Sequence, residues 1–326
     1  MKKKKNIKNV TSFIDLFAGI GGFRIAWQSL GLKCVFSSEI DKYAKKTYYV
    51  NFGEMPRGDI TNIPESSIPD HDILCGGFPC QAFSVSGKQK GFNDARGTLF
   101  FDIARIAKEK RPRVLFLENV KNLEKHDSGN TLKTVLRILD EIGYNAFYKV
   151  LNASNYGVPT ARERIYFVCF RKDLGIKKFD FPQPARKEIY LRDLLEKDVE
   201  LSSVEIRRND INLYALGNNK KKMGPIQIGT INSGGQGERI YSINGHAVTL
   251  SAHGGGAAAK TGAYLVDGKI RKLTPRECAR VMGFPETFKV PVTNAQAYKQ
   301  FGNSVAVPVV RAIAEKIIET INPIRA

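Results

Sequence analysis

Short apolar runs alternate with helical stripes through the first 170 residues, and this alternation restricts the fold more than any other feature of the chain. Residues 12–17, 33–38 and 72–75 read as strands. Val114-Leu115-Phe116-Leu117 is a continuous apolar run, as in a strand covered on both faces. Helical patterns fall between them at 23–30, 41–51, 98–110 and 131–142. The last carries Leu132, Val135, Leu136, Leu139 and Ile142, and Gly143 stands where a helix commonly stops. Residues 165–170 read as one more strand. The pattern predicts an α/β fold with a parallel, doubly wound sheet.

The character then changes. Residues 193–274 are polar, basic at Lys220-Lys221-Lys222 and glycine-rich, with no long helical stripe. They predict a second, smaller domain that is mainly β. Val310, Ile313, Ala314, Ile317, Ile318 and Ile321 share one helical face near the end. The domain plan is therefore a first domain over 1–192 completed by a helix over 303–326, a small domain over 193–274, and a hinge and return segment over 275–302.

Composition narrows the function classes. Lys plus Arg is 51 against 32 for Asp plus Glu, a formal charge of +19. That excess points to a polyanionic partner, nucleic acid before membrane. The five Cys form no CxxC pair and share no metal-ligand spacing with the four His, so neither a disulfide framework nor a metal site is expected. No apolar run reaches the length of a membrane span, and the Lys2–Lys5 cluster lacks the rest of a signal peptide. A cytoplasmic protein is expected.

Three places carry candidate chemistry. Gly19-Ile20-Gly21-Gly22 follows the first strand, and Arg24 occupies the third-glycine position of a dinucleotide fingerprint. With Glu39 at the end of the second strand, able to take both hydroxyls of a ribose, the pattern suits a nucleoside-type cofactor better than NAD. A tight turn with no ligand is the plain alternative. Cys80, in Gly76-Gly77-Phe78-Pro79-Cys80-Gln81, lies on a polar loop at the carboxyl end of the sheet. The other cysteines read as core. Glu118 ends the fourth strand and is either solvated or a general acid with a raised pKa. Arg162 and Arg164 stand two apart on a strand, so both face one way. Beside a thiol they would favour thiolate and hold a phosphate or a base carbonyl.

Taken in order, these blocks resemble the DNA cytosine-5 methyltransferase family. They are Asp15-Leu16-Phe17-Ala18-Gly19-Ile20-Gly21-Gly22-Phe23, Gly77-Phe78-Pro79-Cys80-Gln81, Glu118-Asn119-Val120 and Arg162-Glu163-Arg164. Arg276-Glu277-Cys278-Ala279-Arg280-Val281-Met282-Gly283-Phe284-Pro285 and Gln300-Phe301-Gly302-Asn303-Ser304-Val305 complete the set. The stretch 233–242 is similar to a bacterial member that modifies the inner cytosine of GCGC.

The resemblance implies a Rossmann-like S-adenosylmethionine-dependent enzyme with a small target-recognition domain, acting on double-stranded DNA. It implies Cys80 as nucleophile at C6 of cytosine, Glu118 at N3, Arg164 at O2 and Arg162 in support of the loop. For S-adenosylmethionine it implies Phe17, Gly19, Gly21, Gly22, Glu39, Ile40, Asp59, Ile60, Pro79, Leu99 and Asn303. Ile40 stands where that relative places an aromatic ring against the adenine. For DNA it implies Ser86 and Gln236 filling the gap left by a flipped base, Arg239 on a guanine edge and Thr249 on the target phosphate. His253 and Ala257-Ala258-Ala259 differ from the relative. A monomer working beside a cognate restriction endonuclease is implied as well. The same chemistry on tRNA, a catalytically silent DNA-binding relative and a nicotinamide dehydrogenase are the competing readings. The small domain argues against the first, the intact catalytic set against the second, and the missing third glycine against the third.

Overall fold

The computed structural model describes residues 10–78, 98–184, 188–214 and 224–322. Six strands form the main sheet: β1 (Ser12–Leu16), β2 (Lys33–Ser38), β3 (Ile73–Gly77), β4 (Val114–Val120), β5 (Tyr144–Asn152) and β6 (Glu163–Arg171). Their order is β2-β1-β3-β4-β6-β5. Four helices connect them: α1 (Gly22–Gln28), α2 (Lys42–Phe52), α3 (Leu99–Lys110) and α4 (Asn130–Glu141).

Strand residues alternate between two cores, as a period of two requires when both faces are covered. Phe13, Cys75, Phe116 and Val168 face one side. Ile14, Leu74, Leu115 and Phe167 face the other, against Ile103 and Ile106 of α3 and Val135 and Ile138 of α4. Helix starts follow local chemistry. The Asp41 carboxylate accepts from the N–H groups of Tyr43 and Ala44 and caps α2.

The expected all-parallel sheet needs a correction. β1 to β4 are parallel, but β6 runs antiparallel to both β4 and β5. Only residues 153–162 join β5 to β6, too few for the crossover that a parallel pair needs.

The second sheet has five short strands: β7 (Ile211–Leu213), β8 (Gln227–Ile231), β9 (Arg239–Ser242), β10 (Ala263–Val266) and β11 (Lys269–Arg271). Their order is β11-β10-β9-β8-β7. Ile228, Ile231, Ile240, Ala263 and Ile270 give it a small core of its own. The chain then returns through α5 (Pro275–Val281), α6 (Asn294–Asn303) and α7 (Val307–Ile321). Ile313, Ala314 and Ile317 of α7 lie in the same core as Phe13, Phe23 and Trp27.

One buried ion pair fastens β11 to α5. The Arg271 guanidinium meets the Glu277 carboxylate through two parallel contacts of 2.7 Å, with side chains 2% and 0% exposed. Glu277 also accepts from the backbone N–H of Glu196 and of Thr274.

Candidate active site

The carboxyl ends of β1, β2, β3 and β4 open onto a cavity of about 460 Å³. Phe17, Gly19, Glu39, Leu99, Glu118, Arg162, Arg164 and Asn303 all line it. Pro79, Cys80 and Ser86 lie outside the described residues. In the sequence, Cys80 follows Gly77 by three positions, and Gly77 pairs with Glu118 across β3 and β4.

Glu118 is buried, and burial raises its pKa above the ordinary carboxylate value, with Arg164 and then Arg162 pulling it back down. Arg164 Nε lies 3.1 Å from Glu118 Oε1. Arg162 sits one residue before β6 and has a different task. It donates to the carbonyls of Leu250 at 3.0 Å, Gly302 at 3.1 Å and Ser304 at 2.6 Å. Burial and the neighbouring Arg164 cation pull its pKa down to about 9. Arg162 thus fixes the walls, while Arg164 stands beside the carboxyl. A carboxyl that keeps its proton beside a guanidinium can donate to a ring nitrogen while the cation holds an adjacent carbonyl oxygen.

The other end of the cavity suits a nucleoside. Glu39 Oε2 accepts from Gly19 N–H and Oε1 from Asp41 N–H, both at 2.8 Å. The carboxylate is thereby fixed, with lone pairs left for two neighbouring hydroxyls. Phe17 adopts φ 56°, a left-handed conformation that costs a non-glycine residue about 1–2 kcal/mol. Strain of this kind persists where the surroundings enforce it, and here it falls on a cavity wall. Ile40 is 72% exposed between Glu39 and Asp41, both of which line the cavity.

Four of the residues expected at the cofactor have other neighbours in the fold. Gly21 and Gly22 do not line the cavity. A Cβ on Gly21 would stand 2.3 Å from the Phe52 ring, and one on Gly22 would stand 2.6 Å from Val305. Close packing by itself requires glycine at these two positions. Asp59 caps a short helical turn by accepting from Thr61 N–H, and Ile60 is buried beside it; neither lines the cavity. Arg24, in the third-glycine position, is buried. It bonds Tyr48 at 3.0 Å and Glu54 at 2.9 Å and lies over the Phe52 ring.

Two groups of residues escaped the sequence reading. Asn119 donates to the Phe78 carbonyl at 2.9 Å and so pins the start of the Cys80 segment. Lys299 pairs with Asp41 at 2.7 Å, and Gln300 accepts from the Thr47 hydroxyl at 3.0 Å, binding α6 to α2 across the lip. All stand inside or next to quoted motifs, beside Glu118 and Asn303. That adjacency was the available signal.

Gln236, Arg239 and Thr249 meet in a second groove, formed where two glycine loops touch backbone to backbone. A Cβ on Gly237 would stand 2.2 Å from the Gly255 carbonyl oxygen. Thr249 donates its hydroxyl to the Ala161 carbonyl at 2.6 Å. It can offer that proton to a phosphate only by breaking this bond.

The pairing around Glu118 has a measurable consequence. kcat/KM should pass through an optimum and fall on the alkaline side as Glu118 loses its proton. Glu118→Gln cannot ionise. It should be slower by about 10²–10⁴-fold, the usual contribution of general acid–base catalysis, and should show no alkaline fall. A pH–rate profile of the two proteins checks this.

Comparison with known proteins gives the family. The sequence profile of the C-5 cytosine-specific DNA methylase family matches residues 11–319. The chain is 57% identical over 310 residues to type II methyltransferase M.HhaI of Haemophilus parahaemolyticus, covering 95% of each protein. It is 44% identical to type II methyltransferase M.HpaII of Haemophilus parainfluenzae, covering 96% of this chain and 91% of that one. The fold is similar to the crystal structure of S. pombe Dnmt2 methyltransferase, with TM-score 0.72, 20% identity and coverage of 95% and 98%. The chain belongs to the C-5 cytosine-specific DNA methylase family and is a DNA cytosine-5-methyltransferase that takes its methyl group from S-adenosylmethionine.

Proposed function

We propose that this methyltransferase modifies the inner cytosine of GCGC, flipped out of duplex DNA into the cavity at Glu118. The observation that carries the reading is the buried Glu118 carboxyl, raised in pKa and 3.1 Å from Arg164. This is what a cytosine ring needs along its N3 and O2 edge. Flipping costs a few kcal/mol, which contacts in the cavity and the groove must offset.

Cys80 supplies the electron pair. Its thiolate bonds C6, and the C5=C6 electrons move onto C5 and the N3 side of the ring. Glu118 gives its proton to N3, and Arg164 holds O2. Bound S-adenosylmethionine supplies an electrophilic methyl group on a sulfonium. Glu39 holds the ribose, and Phe17 and Leu99 enclose the base. C5, now nucleophilic, would take the methyl carbon as its bond to the sulfonium sulfur breaks, leaving a neutral thioether. Loss of the C5 proton to a base then restores the C5=C6 bond and expels the Cys80 thiolate, while N3 returns its proton to Glu118.

The second sheet, with the boundaries 193–274, serves as the target-recognition domain. Gln236 and Arg239 support this, since both line one groove. Ser86 and Gln236 fill the gap in the duplex, and Arg239 reads a guanine edge. The enzyme works as a monomer in the cytoplasm, beside a restriction endonuclease of the same specificity.

Bisulfite sequencing of plasmid DNA from cells expressing the chain tests the reading. Protection at the inner cytosine of every GCGC is expected. Protection at another sequence overturns the site, and full conversion everywhere overturns the function.

A further inference from the structure

The cavity and the groove meet at one residue. Among the described residues, His253 is the only one that lines both. It is exposed and sits on a segment held from two sides. Arg162 bonds the Leu250 carbonyl, and Gly302 lets α6 approach the Ser251–Ala252 peptide closely. A Cβ on Gly302 would stand 2.3 Å from the Ser251 carbonyl carbon. The Ser251 hydroxyl donates to the His253 carbonyl, which steadies the turn further.

This position has a consequence for a flipped nucleotide, and the step rests on the function proposed above. The extrahelical base occupies the cavity while its neighbours stay in the duplex at the groove. The sugar–phosphate chain joining them must cross the ridge between the two. Arg239 and Lys260 also line the groove, so a polyanion meets cations on that side. We propose that His253 donates an imidazole N–H to the phosphodiester adjoining the extrahelical cytosine and so seats that nucleotide. Thr249, whose hydroxyl proton is already given to Ala161, leaves this role open.

A chemical double-mutant cycle tests the contact. Duplexes are made with a neutral methylphosphonate at one position at a time around the target cytosine. Affinities are then measured for the intact protein, His253→Ala and His253→Gln. On the all-phosphate duplex His253→Ala should bind about tenfold more weakly or worse, the usual loss for a hydrogen bond to a charged group. His253→Gln, which keeps a donor, should recover part of that loss. When the methylphosphonate flanks the target cytosine, the difference between the intact protein and His253→Ala should vanish. Equal affinity of His253→Ala and the intact protein for the all-phosphate duplex overturns the inference, as does the same loss on every substituted duplex. Cross-linking of the intact protein to a 5-fluorocytosine duplex is read separately. Its absence overturns the function proposed above, whereas its presence with an unaffected His253→Ala overturns only the role of His253.

Discussion

Cys80→Ser is expected to lower methyl transfer by on the order of 10⁴-fold or more while leaving DNA binding largely intact. A thiol is far more acidic than an alcohol and reaches its nucleophilic anion much more readily, whereas a serine hydroxyl stays protonated throughout the working range. In the proposed mechanism the Glu118 carboxyl acts as an acid toward N3 and so does not activate an alcohol. Removing a nucleophile from a covalent mechanism costs several orders of magnitude in rate. On the function proposed above, binding rests on the groove at Gln236 and Arg239. Two measurements decide the matter: incorporation of labelled methyl groups into duplex DNA, and trapping on a 5-fluorocytosine duplex. The variant should show neither. Turnover at the normal rate would remove the covalent step from the mechanism.

Glu277→Ala is expected to destabilise the fold by about 3–5 kcal/mol, the cost of leaving one member of a buried pair unpaired. Here the stranded group is the Arg271 guanidinium, 2% exposed. The N–H groups of Glu196 and Thr274 lose an acceptor at the same time. Replacing both members, as in Arg271→Met with Glu277→Leu, should recover most of the loss, because apolar residues of similar volume need no partner. Urea denaturation of the single and double variants measures both effects. A Glu277→Ala protein as stable as the parent would show that water reaches Arg271.

The strand and helix pattern was legible because period-two and period-3.6 burial leave direct marks on sequence. Residues 33–38 were read with the bounds that β2 has in the structure. Strand direction leaves no such mark: residues 165–170 read only as one more strand, and the structure shows β6 antiparallel to β4. β5 alternates poorly, with Tyr148 and Lys149 both exposed, and it was missed. In the site, Glu39, Glu118 and Arg164 stood out as charges at strand ends. The packing of Gly21 against Phe52 and of Gly22 against Val305 is tertiary and leaves no mark in the sequence. Asn119 and Lys299 act through tertiary partners, and neither has a local signature.

Arg162 ties the cavity to the far end of the chain. The carbonyls that it bonds belong to residues 88, 140 and 142 positions later in the chain. Without residues 302–304 the Arg162 guanidinium lacks two of its three carbonyl partners. A chain stopped short of residue 302 would also lack the α7 side chains that share a core with Phe13 and Trp27, so cavity and sheet are completed together by the same last stretch.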